Sequence, residues 1–185
     1  MRTIIFLIVI ITFIKNTYAD IGKETGLEIP RYVSLKSNDA NIRVGPSKNY
    51  PIYVKYIKKN YPLMIIEEYN EWRKVEDFKK NIGWIHKSLI SGTRTGLILA
   101  KENNYVELLN TLDGKVIGKI ENGNIVLLEK CKIDWCLISK KNYKGWIKKT
   151  YIWGVKNNEV IKINFFQKFE DLYWKSINYL SIIQN

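Results

Sequence analysis

Gly83-Trp84-Ile85-His86-Lys87 returns later in the chain as Gly145-Trp146-Ile147-Lys148-Lys149, and that echo decides how the 185 residues are divided. Glu71-Trp72-Arg73 is echoed by Asp134-Trp135-Cys136, and Asn41-Ile42 by Asn104-Tyr105, each about 62 or 63 residues on. Paired tryptophans at a near-constant spacing mark one structural unit used twice.

Around the first copy lie short runs rich in Tyr, Val and Ile: 53–58, 62–69, 72–77 and 83–86. Lys59-Asn60, Asn70-Glu71 and Lys79-Lys80-Asn81 separate them. Short strands at regular spacing between turn signals predict a sandwich or barrel. No useful stretch here repeats apolar residues with helical spacing. In Trp72-Arg73-Lys74-Val75-Glu76 only Trp72 and Val75 can pack, which predicts a strand exposed on much of one side. The fold class expected is all-β, with two small barrels at 32–92 and 93–153.

The ends differ in character. Met1-Arg2-Thr3 precedes an apolar run from Ile4 to Ile14, broken only by Thr12, and then Lys15-Asn16-Thr17-Tyr18-Ala19. The run is short for a span needing about 20 residues, and Thr17 and Ala19 form a small-residue cleavage pattern. Residues 1–19 therefore read as a signal peptide, or as an uncleaved anchor, and either places the rest outside the cytoplasm, in the periplasm or beyond the cell. Gly22, Gly26 and Pro30 make 20–31 a flexible leader. In 154–185, Phe165, Phe166, Phe169, Leu172, Tyr173, Ile177 and Leu180 predict an amphipathic C-terminal helix over about 165–181. Its other face mixes Lys168 and Lys175 with Glu170 and Asp171, so docking on protein is preferred to membrane association.

Loss of 1–19 removes Arg2 and Lys15 and takes the formal charge from +12 to +10. Export argues against nucleic acid as the partner of so basic a chain. Anionic headgroups and wall carboxylates would feel the same field.

Asn41-Ile42-Arg43-Val44-Gly45-Pro46-Ser47, Tyr50-Pro51, Glu71-Trp72-Arg73-Lys74-Val75 and Gly83-Trp84-Ile85-His86-Lys87-Ser88-Leu89 together resemble the bacterial SH3 (SH3b) family. The chain is similar to the tandem SH3-domain proteins exported by alphaproteobacteria. The likeness implies two SH3-like β-barrels, the second divergent: Val106-Glu107 stands where Arg43-Val44 would fall, and the Gly-Pro turn is missing. It also implies recognition of cell-wall peptide or another envelope component. An interaction subunit binding another envelope protein is the alternative, and an accessory part of a cell-wall hydrolase the third reading.

Candidate ligand-binding residues are Arg43, Tyr50, Tyr53, Trp72 and Trp84. The planar fork of Arg43 can take a carboxylate or brace its own turn. Tyrosines with one wet edge suit shallow recognition, though a small barrel also needs rings to fill its core. Catalytic chemistry is not expected. His86 is the sole histidine and is placed to brace an exit strand, while Glu67, Glu68, Glu71, Glu76 and Asp77 are expected on a solvated face. No metal site or cofactor is expected. Cys131 and Cys136 flank a hairpin turn, where facing residues come close enough for a disulfide, and export supplies the oxidant. Oligomeric state stays open.

Overall fold

The computed structural model describes residues 20–100 and 104–162. The signal peptide expected at 1–19 and the helix expected at about 165–181 lie outside the described residues. Among the described residues sixteen strands follow one another, the first nine being β1 (Asp20–Ile21), β2 (Glu28–Ile29), β3 (Arg31–Leu35), β4 (Ala40–Arg43), β5 (Ile52–Tyr56), β6 (Pro62–Tyr69), β7 (Trp72–Glu76), β8 (Ile82–His86) and β9 (Ile90–Ser91). Then come β10 (Thr95–Ile98), β11 (Tyr105–Leu109), β12 (Val116–Glu121), β13 (Ile125–Cys131), β14 (Trp135–Lys140), β15 (Tyr143–Lys148) and β16 (Ile152–Trp153).

Two antiparallel sheets carry the fold, in the orders β5-β4-β8-β7-β6-β3-β9 and β12-β11-β15-β14-β13-β10-β16. Read position by position, the orders are the same. Each sheet closes over its own apolar core. Leu35, Leu63, Ile65, Val75 and Ile85 fill barrel 1, and Ile98, Val126, Leu128, Ile138 and Ile147 fill the same places in barrel 2. A single 3₁₀ turn, Lys87–Leu89 or Lys149–Tyr151, precedes the last strand of each.

The glycine of each Gly-Trp motif has a steric cause. A Cβ on Gly83 would lie 2.5 Å from Ile42 Cγ2 and 2.8 Å from the Arg43 carbonyl oxygen; on Gly145 it would lie 2.9 Å from Leu108 Cβ and 3.2 Å from the Leu109 carbonyl oxygen. Only glycine lets strand 8 or 15 run so close to its neighbour.

The same contacts correct the alignment of the repeats. Arg43 pairs with Trp84 and Leu109 pairs with Trp146, and each follows a bulge, between Ile42 and Arg43 or between Leu108 and Leu109. Leu109 is thus the counterpart of Arg43, three residues beyond the expected Val106. Extra chain before β11 moved the register, and the apolar Val106 and Leu108 settled it by facing the core.

Residues 20–31, expected as a flexible leader, carry the β1–β2 hairpin and the start of β3. Gly22 and Leu27 close its turn by a backbone hydrogen bond of 2.8 Å, and Gly26 takes φ +68°, a conformation suited to glycine. Residues 154–162 are not helical. Val155 enters the core of barrel 2, and Ile161 exchanges backbone hydrogen bonds of 2.9 and 3.1 Å with Cys131. Each barrel is thereby strapped by one end of the chain.

Candidate functional site

Cross-strand partners share a face of a sheet, so register alone assembles the outer surface of barrel 1. Arg43 and Lys74 both pair with Trp84, while Trp72 pairs with His86 and with Tyr69. Trp72 meets the His86 ring edge-on at 5.4 Å, Tyr69 meets Trp84 edge-on at 6.4 Å, and Lys74 Nζ sits 5.7 Å above Trp84. Trp84 is only 9% exposed. An incoming partner would therefore meet Lys74 and Tyr69 more than the indole beneath them.

Arg43 braces its turn: Nη1 donates to the Tyr50 carbonyl oxygen at 2.6 Å. The Tyr50 ring lies against Gly45, where a Cβ would stand 2.6 Å from it. Arg43 borders the Trp84 face through its pairing, and Tyr50 is exposed. Tyr53 is not part of this group. It is exposed on β5, with its hydroxyl 3.4 Å from Asn81 Oδ1. Arg43, Trp72 and Trp84 share one face, to which Tyr50 is tied by its carbonyl's bond to Arg43; Tyr53 stands apart.

Barrel 2 presents a related face with different chemistry. Trp146 pairs with Leu109 and Leu137, and Trp135 with Lys148. Lys132 Nζ lies 5.7 Å from the Trp146 ring centre and Lys148 Nζ 5.6 Å from that of Trp135. The indoles persist, but Arg43 has become Leu109, and His86 has become Lys148.

His86 Nδ1 accepts from the Ser88 backbone N–H at 3.3 Å and is 2.7 Å from Ser88 Oγ, capping the 3₁₀ turn. Glu67, Glu71 and Glu76 make surface ion pairs with Lys74, Lys87 and Lys80. Glu68 and Asp77 depart from the expected solvated face, because both are buried. The amides of Glu24 and Thr25 donate to Glu68 Oε2 at 2.9 and 3.0 Å; Thr25 Oγ1 and Arg31 Nη2 donate to Oε1 at 2.8 and 2.6 Å. Arg73 Nε lies 3.4 Å away. Burial alone would raise this carboxyl, but the hydrogen bonds from Arg31, Thr25 and the two amides outweigh it and hold the group at about 2.

Asp77 accepts from Lys79 N–H, Asn81 N–H, Asn81 Nδ2 and the Tyr56 hydroxyl, at 2.6 to 2.9 Å. Burial pushes its carboxyl up, and these donors bring it below the usual range. Burial, then the bond to Asp77, drives the Tyr56 phenol upward. Hydrophilic residue types gave no sign of this burial. The position of Glu68 did, since Glu68 and Arg73 form the register pair that Cys131 and Cys136 form in the second repeat. There a disulfide joins the two strands. Among the described residues no group of three or more His, Cys, Asp or Glu could hold a metal ion.

The architecture defines a class, a tandem of SH3-like barrels with aromatic and cationic outer faces. Residues 36–92 and 111–154 match the family described as bacterial SH3 domain, and the chain belongs to that family. No curated protein matches it. Solved structures similar to part of it are NlpC1 from Trichomonas vaginalis, at 13% identity and TM-score 0.30 over 71% of this chain and 48% of that one, and NlpC2 from the same organism, at 12% identity and TM-score 0.29 over 67% and 48%. The chain spans 48% of the length of each.

Proposed function

We propose that this is an exported, non-catalytic binding or scaffold protein of the bacterial cell envelope that docks on the cell wall, its peptide included, through the outer face of barrel 1. The observation that carries this reading is the convergence of Arg43, Lys74, Tyr69, Trp72 and His86 on one side of β4-β8-β7-β6. Ring edges and fixed cations suit a polar, anionic polymer studded with short peptides. The disulfide and the family fit a protein outside the cytoplasm.

Sedimentation with purified peptidoglycan tests it. The wild-type protein goes to the pellet, and the variant carrying Arg43→Ala and Trp72→Ala stays largely in the supernatant. Wild-type protein left in the supernatant would overturn the reading. The non-catalytic part is supported by the commitments of the candidate groups: His86 is used by Ser88, and Glu68 and Asp77 are saturated by donors. Prolonged incubation with peptidoglycan should release no soluble fragments; their release would identify a hydrolase.

A second reading, an interaction subunit, draws on two exposed sheet edges. β5 offers Ile52 and Tyr53, and β12 offers Val116 and Ile117, all exposed at the end of their sheets. Such edges accept an added strand from another protein. Crosslinking in cells that yields one dominant protein partner would favour it.

A further inference from the structure

Where the barrels meet, residues of both line a cleft of about 410 Å³. Tyr61 and Phe78 of barrel 1 and Leu97 and Leu99 of barrel 2 line it, with Lys58 and Lys79 among the same lining residues. Its walls are fixed to one another. Thr95 Oγ1 donates to the Asn60 carbonyl oxygen at 2.8 Å, Tyr32 packs edge-on against Trp153 at 5.2 Å, and Lys58 Nζ reaches the Gly123 carbonyl oxygen at 3.4 Å.

Ligand sites are commonly clefts of about 300–1,000 Å³ at the junction of two domains, mostly apolar with a few placed polar groups. This one has an aromatic and aliphatic lining and cations beside it. Lys79 Nζ lies 5.6 Å from the Phe78 ring centre. Asp77 is the single carboxylate in the lining, and its oxygens are already taken by Tyr56, Lys79 and Asn81.

We propose that the cleft between the barrels is a second binding site, independent of the outer face, and that it takes a peptide end: a free C-terminal carboxylate at Lys58 and Lys79, with small apolar side chains on Tyr61, Phe78, Leu97 and Leu99. Neither barrel alone contains the site. Lys58, Lys79, Tyr61 and Phe78 come from one repeat, and Leu97, Leu99, Asn122 and Gly123 from the other.

The test is a titration of the isotope-labelled mature protein with N-acetyl-trialanine carrying a free carboxylate, against its C-terminal amide, read by amide chemical shifts. The acid should move Tyr61 and Phe78 together with Leu97, Leu99, Asn122 and Gly123. The amide should bind at least about tenfold more weakly, as loss of a charged hydrogen bond implies. The pair Lys58→Gln and Lys79→Gln, both on exposed side chains, should weaken the acid to the same degree with the rest of the spectrum unchanged. Lys74→Gln on the outer face should have no effect. Absence of shifts, shifts confined to one barrel, or equal binding of acid and amide would each overturn the proposal. Sedimentation of the Lys58→Gln and Lys79→Gln protein reports on the outer face, and titration of the Arg43→Ala and Trp72→Ala protein with the acid reports on the cleft, so the two readings fail independently.

Discussion

In barrel 1 the β6–β7 hairpin is tied by Glu68 facing Arg73, and in barrel 2 the corresponding β13–β14 hairpin is tied by Cys131 bonded to Cys136. Around each tie the strap comes from a different terminus. The leader reaches Glu68 through the amides of Glu24 and Thr25, and the tail reaches Cys131 through Ile161. Arg31 and Arg94 hold equivalent places at the start of the first core strand. One clasps Glu68, the other clasps Glu159 of the tail. A carboxylate with many donors can thus stand where a covalent bond stands in the sister fold, provided its charge is answered on every side. The two ties should fail under different insults.

Glu68→Ala carries the largest expected effect. It strips Arg31 of its acceptor and buried Arg73 of its counter-charge, and loss of one member of a buried pair costs about 3–5 kcal/mol. Hydrogen exchange should show barrel 1 and the β1–β2 hairpin opening, with barrel 2 retaining its protection. Equal loss in both barrels would break the comparison.

Acid comes next. The Glu68 carboxyl is held at about 2, below its ordinary value of 4.5, so its contribution is complete above pH 4.5 and is lost as pH falls towards 2. Fully protonated, it forfeits about 3 kcal/mol by its shift. Amide exchange followed from neutral to acid pH should accelerate in barrel 1 first. Asp77 adds to that trend, whereas the acid-sensitive clasp of Glu159 in barrel 2 is partly exposed and gives a smaller change.

Reduction is the mirror experiment. The loop from Cys131 to Cys136 is short, so opening the disulfide costs about 2 kcal/mol. A reductant at neutral pH should lower the denaturation midpoint of barrel 2 and leave that of barrel 1 in place. Arg43→Ala is the smallest change, about 1 kcal/mol from one hydrogen bond at a partly exposed turn. Thermal melts should register it in barrel 1, and Leu109→Ala, its counterpart, should act on barrel 2 through packing alone.

Two barrels were legible in the chain because the Gly-Trp motif reports a contact of backbone on side chain that no other residue allows, and it occurs twice. The facing cysteines were legible for a related reason, since six residues with a cysteine at each end fit one turn. The alignment of β11 was less so: Asn104-Tyr105 looks like Asn41-Ile42 letter by letter, but Leu108 and Leu109 take the places of Ile42 and Arg43 beside the glycine. Glu68 and the leader hid each other. A segment with two glycines and few apolar residues reads as loose chain, and a glutamate that follows another glutamate reads as solvated. Only their meeting orders both, and Gly22 is what lets the backbone lie over the carboxylate, where a Cβ would come within 2.5 Å of Oε2. Of the candidate site, the pairing of Arg43 with Trp84 follows from strand order; the separation of Tyr53 follows from the bulge in β4–β5, which a linear reading does not count.

The two seams also differ in when they can shut. Glu68 and Arg73 need no reagent, so the leading half of the polypeptide can reach its finished form as soon as its own residues assemble. The trailing half stays covalently incomplete until an electron acceptor removes two electrons from Cys131 and Cys136. Closure of the second seam therefore depends on an oxidant in the surroundings, whereas closure of the first depends on the polypeptide alone.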